Sequence, residues 1–600
     1  MMPTQRKPLD EVRTIREDPD HAPEFPKDGD VGFDMKPMVR WLDPVQLADT
    51  AKKAILSQLF ATYADQREMQ VALAPDVAYF DYSDAGDGEF WFDHIADVGD
   101  GFDPTYGMAY LLAAPTLTVD NVETRRGRFV ILGGDEVYPT ASRDEYQDRL
   151  IGPYAAALPY APPADAPHLF AIPGNHDWYD GLTSFTRQFC QERWIGGWKT
   201  WQRRSYFALK LPHGYWLWSL DVQLQSDIDE PQKNYFKEMK KLMKEGDKVI
   251  LCTAEPTWVY HETKGPDAYE TMRYFDDNIL GDTSLEVIGL AGDVHCYARY
   301  QHADGRQRFV AGGGGAYLAA THDLPHKLDL PHGKGTDHFA EAMYDNEPAV
   351  YPTRGKSAML AAGAIGFALW NRYFAALMGA LYLAFVTSVE STSLLQVGMK
   401  RYHESIAYSM MNIPFRQALR AFAEISLLSA TTMLLFFILL FGLIAYADFE
   451  WKVVKVAVGG LHTGLHILAI IVLARSLAAL NDAVLPHWSP LKIVLIYAVE
   501  MFIAGGIAGS IIFGLYYFIT AVFFRRHLEH AFSSQALTLY KQFIRFRITA
   551  DGIDFFTIGV DSMPNWELKQ QPAYPNGQQK PWYAGDIKPR IVDRGSVHKR

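Results

Sequence analysis

The stretch HLFAIPGNHD, His168–Asp177, decides the reading of this chain. Its first six residues read as a strand, and they stop at Gly174-Asn175-His176-Asp177. An amide, an imidazole and a carboxylate therefore stand together where a strand ends. In α/β sheets, ligands collect at the carboxyl ends of strands.

The same grammar recurs on both sides. EFWFDHIA ends at Asp97-Val98-Gly99-Asp100, and RGRFVILG ends at Gly134-Asp135. KVILCTA ends at Glu255-Pro256, LEVIGLA at Gly292-Asp293-Val294-His295, and RQRFVA at Gly312–Gly315. Helical stretches lie between several of these runs. Strand ends that carry Asp, Asn and His make a metal cage, and oxygen donors mixed with imidazole suit Mn, Fe or Zn.

The order and spacing resemble the calcineurin-like metallophosphoesterase superfamily, whose pattern is D-x-H, G-D, G-N-H-D/E, a lone His and G-H-x-H. Gly174-Asn175-His176-Asp177 matches the third element, Gly134-Asp135 the second and His295 the last His. The first element reads Asp97-x-Gly99. Purple acid phosphatases share that D-x-G and pair it with G-D-x-x-Y, which appears here as Gly134-Asp135-Glu136-Val137-Tyr138. The resemblance covers residues 85–325 and points to a membrane-anchored subgroup of bacterial and plant type. Two positions depart from the pattern. Asp293 replaces the first His of G-H-x-H, and Ala254 stands where the lone His belongs, with Glu255 and His261 as nearby substitutes.

The resemblance implies a four-layer α/β sandwich of two mixed sheets. It implies two divalent or trivalent metal ions (Mn, Fe or Zn) that share Asp135. One metal would use Asp97, Asp135 and His295, with Tyr138 for the missing His. The other would use Asp135, Asn175, Asp293 and a replacement for the absent His. Paired metals about 3.5–4 Å apart clamp the attacking and leaving oxygens of a phosphoryl transfer and activate water as hydroxide. His176 would protonate the leaving oxygen or steady the phosphate, with Asp177 orienting its ring. Each residue also has a plainer reading. An isolated Gly-Asp is usually a turn, Asp97 and Asp100 could cap a strand end, and a Tyr at 138 is more often core than ligand. Asp100 is a carboxylate without an assigned role.

The rest of the chain differs in composition. The 600 residues are 48% hydrophobic, 21% charged and 14% aromatic, which excludes a disordered chain. A formal charge of −13 argues against a nucleic-acid partner. Three scattered cysteines exclude a disulfide framework and fit a reducing compartment. A mean hydropathy of −0.10 hides a sharp division. Four long uncharged runs lie at Tyr373–Val389, Ile425–Ala447, Val456–Ala474 and Met501–Phe524. About 20 apolar residues cross a bilayer as a helix.

The expected organisation is an N-terminal extension at 1–84, a metallophosphoesterase domain at 85–355 and an all-α transmembrane bundle of four helices at 356–526. A C-terminal cytoplasmic segment at 527–600 follows, with a small β element around Asp551-Gly552 and a loose tail from Met563. The polar start has no apolar core of a secretory signal. Arg525 and Arg526 follow the last span, so the expected site is the cell membrane, multi-pass, with a cytoplasmic catalytic domain. Lys400, Arg401, Arg416 and Arg420 in the 390–422 connection pull against that topology.

The expected function is hydrolysis of a phosphomonoester or phosphodiester at the membrane, with lipid-linked phosphates among the candidate substrates and the lipid bilayer as a partner. Ala254 leaves open an impaired phosphoesterase-like sensor or scaffold coupled to the helices. His462 and His466, one helical turn apart in the third span, leave open a transporter or redox bundle. They could also bond Glu500 or neighbouring hydroxyls. Gly505-x-x-x-Gly509 is a helix-packing pattern.

Overall fold

A computed structural model of the chain describes residues 32–61, 67, 70, 78–84, 88–160, 166–222, 228–333, 335–397, 409, 411–569 and 580–598. The polar start, Lys400, Arg401 and residues 570–579 of the tail lie outside these. The chain forms two compact units. One comprises Met1–Val39, Asp49–Ser357 and Ala536–Arg600; the other comprises Arg40–Ala48 and Ala358–Gln535.

The first unit is built on two sheets. One runs in the order Pro589–His598, Gly552–Val560, Lys541–Ile548, Phe90–Ile95, Phe129–Leu132, His168–Ala171, Trp198–Thr200, Trp194–Ile195. Its middle strands, from Phe90–Ile95 to Trp198–Thr200, are parallel. The Phe90–Ile95 strand, FWFDHI, is buried at all six positions, as a strand covered on both faces must be. The second sheet contains Phe207–Leu211, Tyr215–Ser219, Lys248–Cys252, Glu286–Ala291, Gln307–Ala311 and Tyr297–His302, with both parallel and antiparallel pairs. Phe92, Ile131 and Phe170 from one sheet share a core with Leu217, Ile250, Leu290 and Phe309 from the other. Helices such as Phe102–Ala113 and Thr183–Phe189 cover the outer face of the first sheet. Glu230–Leu242 and Thr257–Lys264 cover that of the second. This is the expected sandwich of two mixed sheets between helical layers.

The C-terminal segment departs from expectation. The hairpin around Asp551-Gly552 is present, but it is no separate element. Lys541–Ile548 pairs antiparallel with Phe90–Ile95, more than 440 residues earlier in the chain. The expected loose tail carries Pro589–His598, paired along Gly552–Val560. Two buried ion pairs fasten it. Arg545 Nε and Nη2 donate to Asp93 at 2.7 and 3.0 Å, and Arg299 Nε and Nη2 donate to Asp593 at 2.6 and 3.0 Å. Such bidentate pairs fix geometry as well as charge.

The second unit is helical. Arg372–Ser391, Lys452–Val484 and Leu491–Phe524 are long and apolar enough to cross a membrane. The second expected span is not one straight helix. Phe415–Leu428 and Ala430–Tyr446 meet at 105°. Ser429 makes the break, because its hydroxyl accepts the Thr432 N–H at 3.2 Å and so caps a new helix. Gly505 and Gly509 act as expected. A Cβ at Gly505 would lie 2.7 Å from that of Tyr382, and one at Gly509 2.8 Å from that of Met378. The helices Arg372–Val397 and Pro490–Phe524 approach closely through these glycines.

Candidate active site

Three carboxylates of the candidate site leave strand ends on a left-handed backbone. Asp97, Asp135 and Asp293 have φ of 57°, 53° and 62°. Few residues other than glycine adopt this conformation, and strain of this kind gathers at functional sites. Gly99 explains the D-x-G departure. A Cβ there would lie 2.1 Å from the Glu136 carbonyl oxygen, so the two loops meet where only glycine fits. The Tyr138 N–H donates across the same contact to the Gly99 carbonyl at 3.1 Å. Gly174 is required for a similar reason, since its Cβ would lie 2.0 Å from Asp135 Oδ1.

The Tyr138 hydroxyl is the meeting point. It lies 2.9 Å from Asp97 Oδ1, 3.1 Å from Asp135 Oδ2 and 3.1 Å from His295 Nε2. His295 Nε2 is also 3.4 Å from Asp97 Oδ1. The other oxygens are held by backbone: Asp97 Oδ2 accepts the Asp293 N–H at 2.8 Å, and Asp135 Oδ1 accepts the His176 N–H at 2.9 Å. Burial, then mutual repulsion among these carboxylates, holds Asp135 well above the ordinary carboxylate range. Burial also raises Asp97. Burial alone would lower His295, but Asp97 and Asp293 carry it above the usual imidazole value.

His176 and Asp177 are both placed here, but not as a pair. His176 Nδ1 donates to the Pro139 carbonyl at 2.6 Å, so that carbonyl orients the ring. Burial pushes the imidazole down to about 4, and it is neutral at pH 7. Asp177 instead braces the loop. Its Oδ2 accepts the Gly174 and Glu136 N–H groups at 2.9 and 3.2 Å, and its Oδ1 accepts the Tyr146 hydroxyl at 2.5 Å. Asp100 accepts the Val39 and Tyr317 N–H groups at 2.7 and 3.0 Å, so both its oxygens serve the backbone.

Around Ala254 neither expected substitute, Glu255 or His261, bonds Asp293 among the described contacts. Ala254 is buried, and a Cβ on Gly134 would lie 2.6 Å from its own. His261 stacks edge-on to Tyr269. Glu255 is pushed up to about 7 by burial and then by Asp293. The residue that reaches Asp293 is Tyr260, whose hydroxyl bonds its Oδ2. Tyr260 was not foreseen. Its one cue is its place on the Thr257–Lys264 helix, which begins just after the strand end. Lys541 was not foreseen either. It is fully buried, donates to the Ala316 carbonyl, and burial lowers it to about 7 although Asp100 and Asp97 raise it.

The donor set fits a metal. Carboxylate oxygens of Asp97, Asp135 and Asp293, the His295 imidazole and the Tyr138 phenol are the donor types that hold Mn, Fe or Zn. Asn175 donates through Nδ2 to Tyr179 at 3.0 Å, while its Oδ1 is buried without a partner. Among the described residues no three His, Cys, Asp or Glu side chains suffice on their own to hold a metal ion. Tyr138 and Asn175 are the other polar side chains at these strand ends.

Residues 90–298 match the calcineurin-like phosphoesterase family. The matched stretch runs from the first residue of the Phe90–Ile95 strand to just past His295, and so contains every expected site residue. No curated protein matches the chain. Among the solved structures that resemble it are three at 11% identity. The Plasmodium inner-membrane-complex anchor GAP50 shares 42% of this chain and 78% of its own, with a TM-score of 0.30. A purple acid phosphatase, PPD1, from yellow lupin seeds shares 42% and 48%, with a TM-score of 0.28. PhoD shares 39% and 58%, with a TM-score of 0.26 and the same 11% identity. The chain thus spans about half the length of the lupin phosphatase.

Proposed function

We propose that the protein is a metal-dependent phosphate-ester hydrolase held at a membrane by its helical unit. The observation that carries this reading is the Tyr138 hydroxyl, in contact with Asp97, Asp135 and His295 inside the segment that matches the family. Asp97, Asp135, His295 and Tyr138 would hold one metal, and Asp135, Asn175 and Asp293 the other. Bound there, the metals would offset the phosphate charge and activate water.

The chain's own residues do the rest. Asp135 is fixed by the His176 N–H on one oxygen and the Tyr138 hydroxyl on the other. His176 presents a neutral ring with Nδ1–H spent on Pro139, which leaves Nε2 as its acceptor nitrogen. An anionic phosphate beside that ring favours its protonated form, which then serves the leaving oxygen. Asp177, with Tyr146, keeps the Gly174 loop rigid so that the ring stays in place.

The apolar helices support membrane attachment, and Arg525-Arg526 after the last span favours a cytoplasmic C-terminus. The test is release of nitrophenol from a nitrophenyl phosphate with added Mn, Fe or Zn. Activity that survives Asp135→Asn would refute the mechanism.

Ala254 supports a second reading, a phosphoesterase-like domain that signals or scaffolds without turnover. Its side chain has no donor atom, and the nearby Asp293 is occupied by Tyr260. Metal analysis of the purified protein separates the two. Two equivalents lost on Asp135→Asn remove the second reading, and one or none lost with no turnover removes the first.

A further inference from the structure

The helical unit contains a second cluster of metal-ligating side chains, remote in sequence from the phosphoesterase segment. His462 and His466 lie on the Lys452–Val484 helix, 3% and 0% exposed. His466 is about 21 Å along that helix at about 1.5 Å per residue, well inside a span of bilayer length. The Nε2 atoms of both rings are buried and have no hydrogen-bond partner. The acceptor expected from the sequence, and the hydroxyl of the ring stacked on His462, bond other groups. Glu500 accepts Asn481 Nδ2 at 2.7 Å, and the Tyr516 hydroxyl bonds His527 Nε2 at 2.8 Å. Burying a polar nitrogen unpaired costs free energy, and two in one turn of helix point to an occupant.

We infer that His462 and His466 form a chelating site for a late divalent transition metal, Cu2+, Ni2+ or Zn2+, inside the helical unit. Histidines at i and i+4 share a helix face and are a known zinc-binding pair. The two ring centres lie 4.9 Å apart. The rings are stacked 25° from parallel, so metal–nitrogen bonds of about 2.0–2.1 Å to one ion require both Nε2 atoms to turn toward it. His466 has the supporting contact that ligating histidines need. Its Nδ1 lies 2.7 Å from the Tyr382 hydroxyl. With Nδ1–H donating to that oxygen, Nε2 keeps its lone pair for the ion. Gly505 in turn lets the neighbouring helix close onto Tyr382.

The surroundings select the ligand class. Phe513 packs against both rings, at 4.7 and 5.4 Å, and gives the pair an apolar wall. Tyr516 lies nearly flat on His462, at 4.5 Å and 23°, so its ring stacks there and offers His462 no hydrogen bond. Neutral imidazoles prefer Cu2+, Ni2+ and Zn2+ over Mg2+ or Ca2+, with Cu2+ the tightest. Two protein ligands leave the other coordination positions to water or a small exogenous ligand, so the site is exchangeable.

The test uses the full chain in detergent micelles, with Cu2+ or Zn2+ alone as the probe. Wild-type protein should bind about one equivalent more than His462→Gln/His466→Gln. Its Cu2+ resonance should show coupling to imidazole nitrogen that the variant lacks. Nitrophenyl phosphate turnover should be the same in both. Tyr382→Phe should keep the stoichiometry and weaken affinity about 10–100-fold, as loss of a supporting contact does. Equal stoichiometry in the paired variant overturns the inference. Should that variant fail to fold, Asp135→Asn protein must still bind one equivalent through two imidazoles, and no binding there overturns it.

Discussion

Replacing Asp593 tests whether the C-terminal strand is part of the phosphoesterase core or an appendage. Asp593 is fully buried and accepts three hydrogen bonds, from Arg299 Nε at 2.6 Å, Arg299 Nη2 at 3.0 Å and the Tyr297 hydroxyl at 2.6 Å. In Asp593→Ala the guanidinium keeps the Gln307 Oε1 and Met343 carbonyl hydrogen bonds, at 3.0 and 3.4 Å, and the Phe555 ring face, but no anion. A buried charge stripped of its partner costs about 3–5 kcal/mol. Against a whole-domain stability of about 5–15 kcal/mol, that is a large fraction. Urea unfolding of the purified chain, followed by the fluorescence of buried Trp91, Trp198, Trp216 and Trp218, measures it.

The control is the apolar replacement Tyr297→Phe/Arg299→Met/Asp593→Leu. It removes both charges and the hydroxyl together, so no buried charge is left unpaired, and its stability should recover most of the loss, short of the roughly 1–3 kcal/mol that the Gln307 amide oxygen costs once Arg299 no longer donates to it. Two results would refute the reasoning. One is an Asp593→Ala midpoint unchanged from wild type, meaning that the strand is not load-sharing with the sheet. The other is a triple variant as unstable as the single one, meaning that packing and not the orphaned charge sets the cost.

Three further outcomes follow from the same geometry. Gly174→Ala should lower nitrophenyl phosphate turnover at least ~100-fold with the fold intact, because its Cβ would displace Asp135 Oδ1, 2.0 Å away; circular dichroism checks the fold, and turnover within threefold of wild type would count against Asp135 as the shared ligand. Asp276 is pushed up to about 8 by burial and then by Glu286, so the folded state holds a proton that the unfolded chain has lost above its ordinary value near ~3.9. Its contribution is complete below pH ~4 and disappears as pH rises through about 8, so Asp276→Asn should gain on wild type from pH 5 to 8 in thermal unfolding, and a constant difference would contradict the shift. Truncation after Gln535 should leave the phosphoesterase unit unable to fold, since the Phe90–Ile95 strand then loses its antiparallel neighbour and Asp93 its Arg545 partner; a soluble, protease-resistant product would show otherwise.

What the sequence reveals of the site follows from how tightly chemistry restricts residue type. Asp97, Asp135, Asn175, Asp293 and His295 stand at strand ends, where oxygen and nitrogen donors beside glycines stand out in the sequence whatever they hold. Tyr138 was legible only beside Gly99: one loop has no room for a side chain, so the other supplies the ring. The supporting residues obey no such local rule. Asp177 carries the residue type expected of a ring-orienting carboxylate, yet its oxygens are taken by Gly174, Glu136 and Tyr146, a choice that depends on loops brought together only in the fold. Lys541 reads locally as one of the basic residues after the last span, and Asp593 as an ordinary charge in the polar tail. Their burial comes from strand pairs whose partners lie hundreds of residues away. Ser429 shows the same limit in the helical unit. An apolar run with two serines is compatible with a continuous span, and the break appears only because the Ser429 hydroxyl accepts the Thr432 N–H instead of facing outward. A side chain's type therefore carries over from sequence to structure where covalent or ligand chemistry restricts it. Its partner carries over only where that partner is near in sequence. This places the burden of proof for His462 and His466 on metal binding itself, because residue type and i, i+4 spacing are all that the sequence could supply, and the two unpartnered Nε2 atoms are what the structure adds.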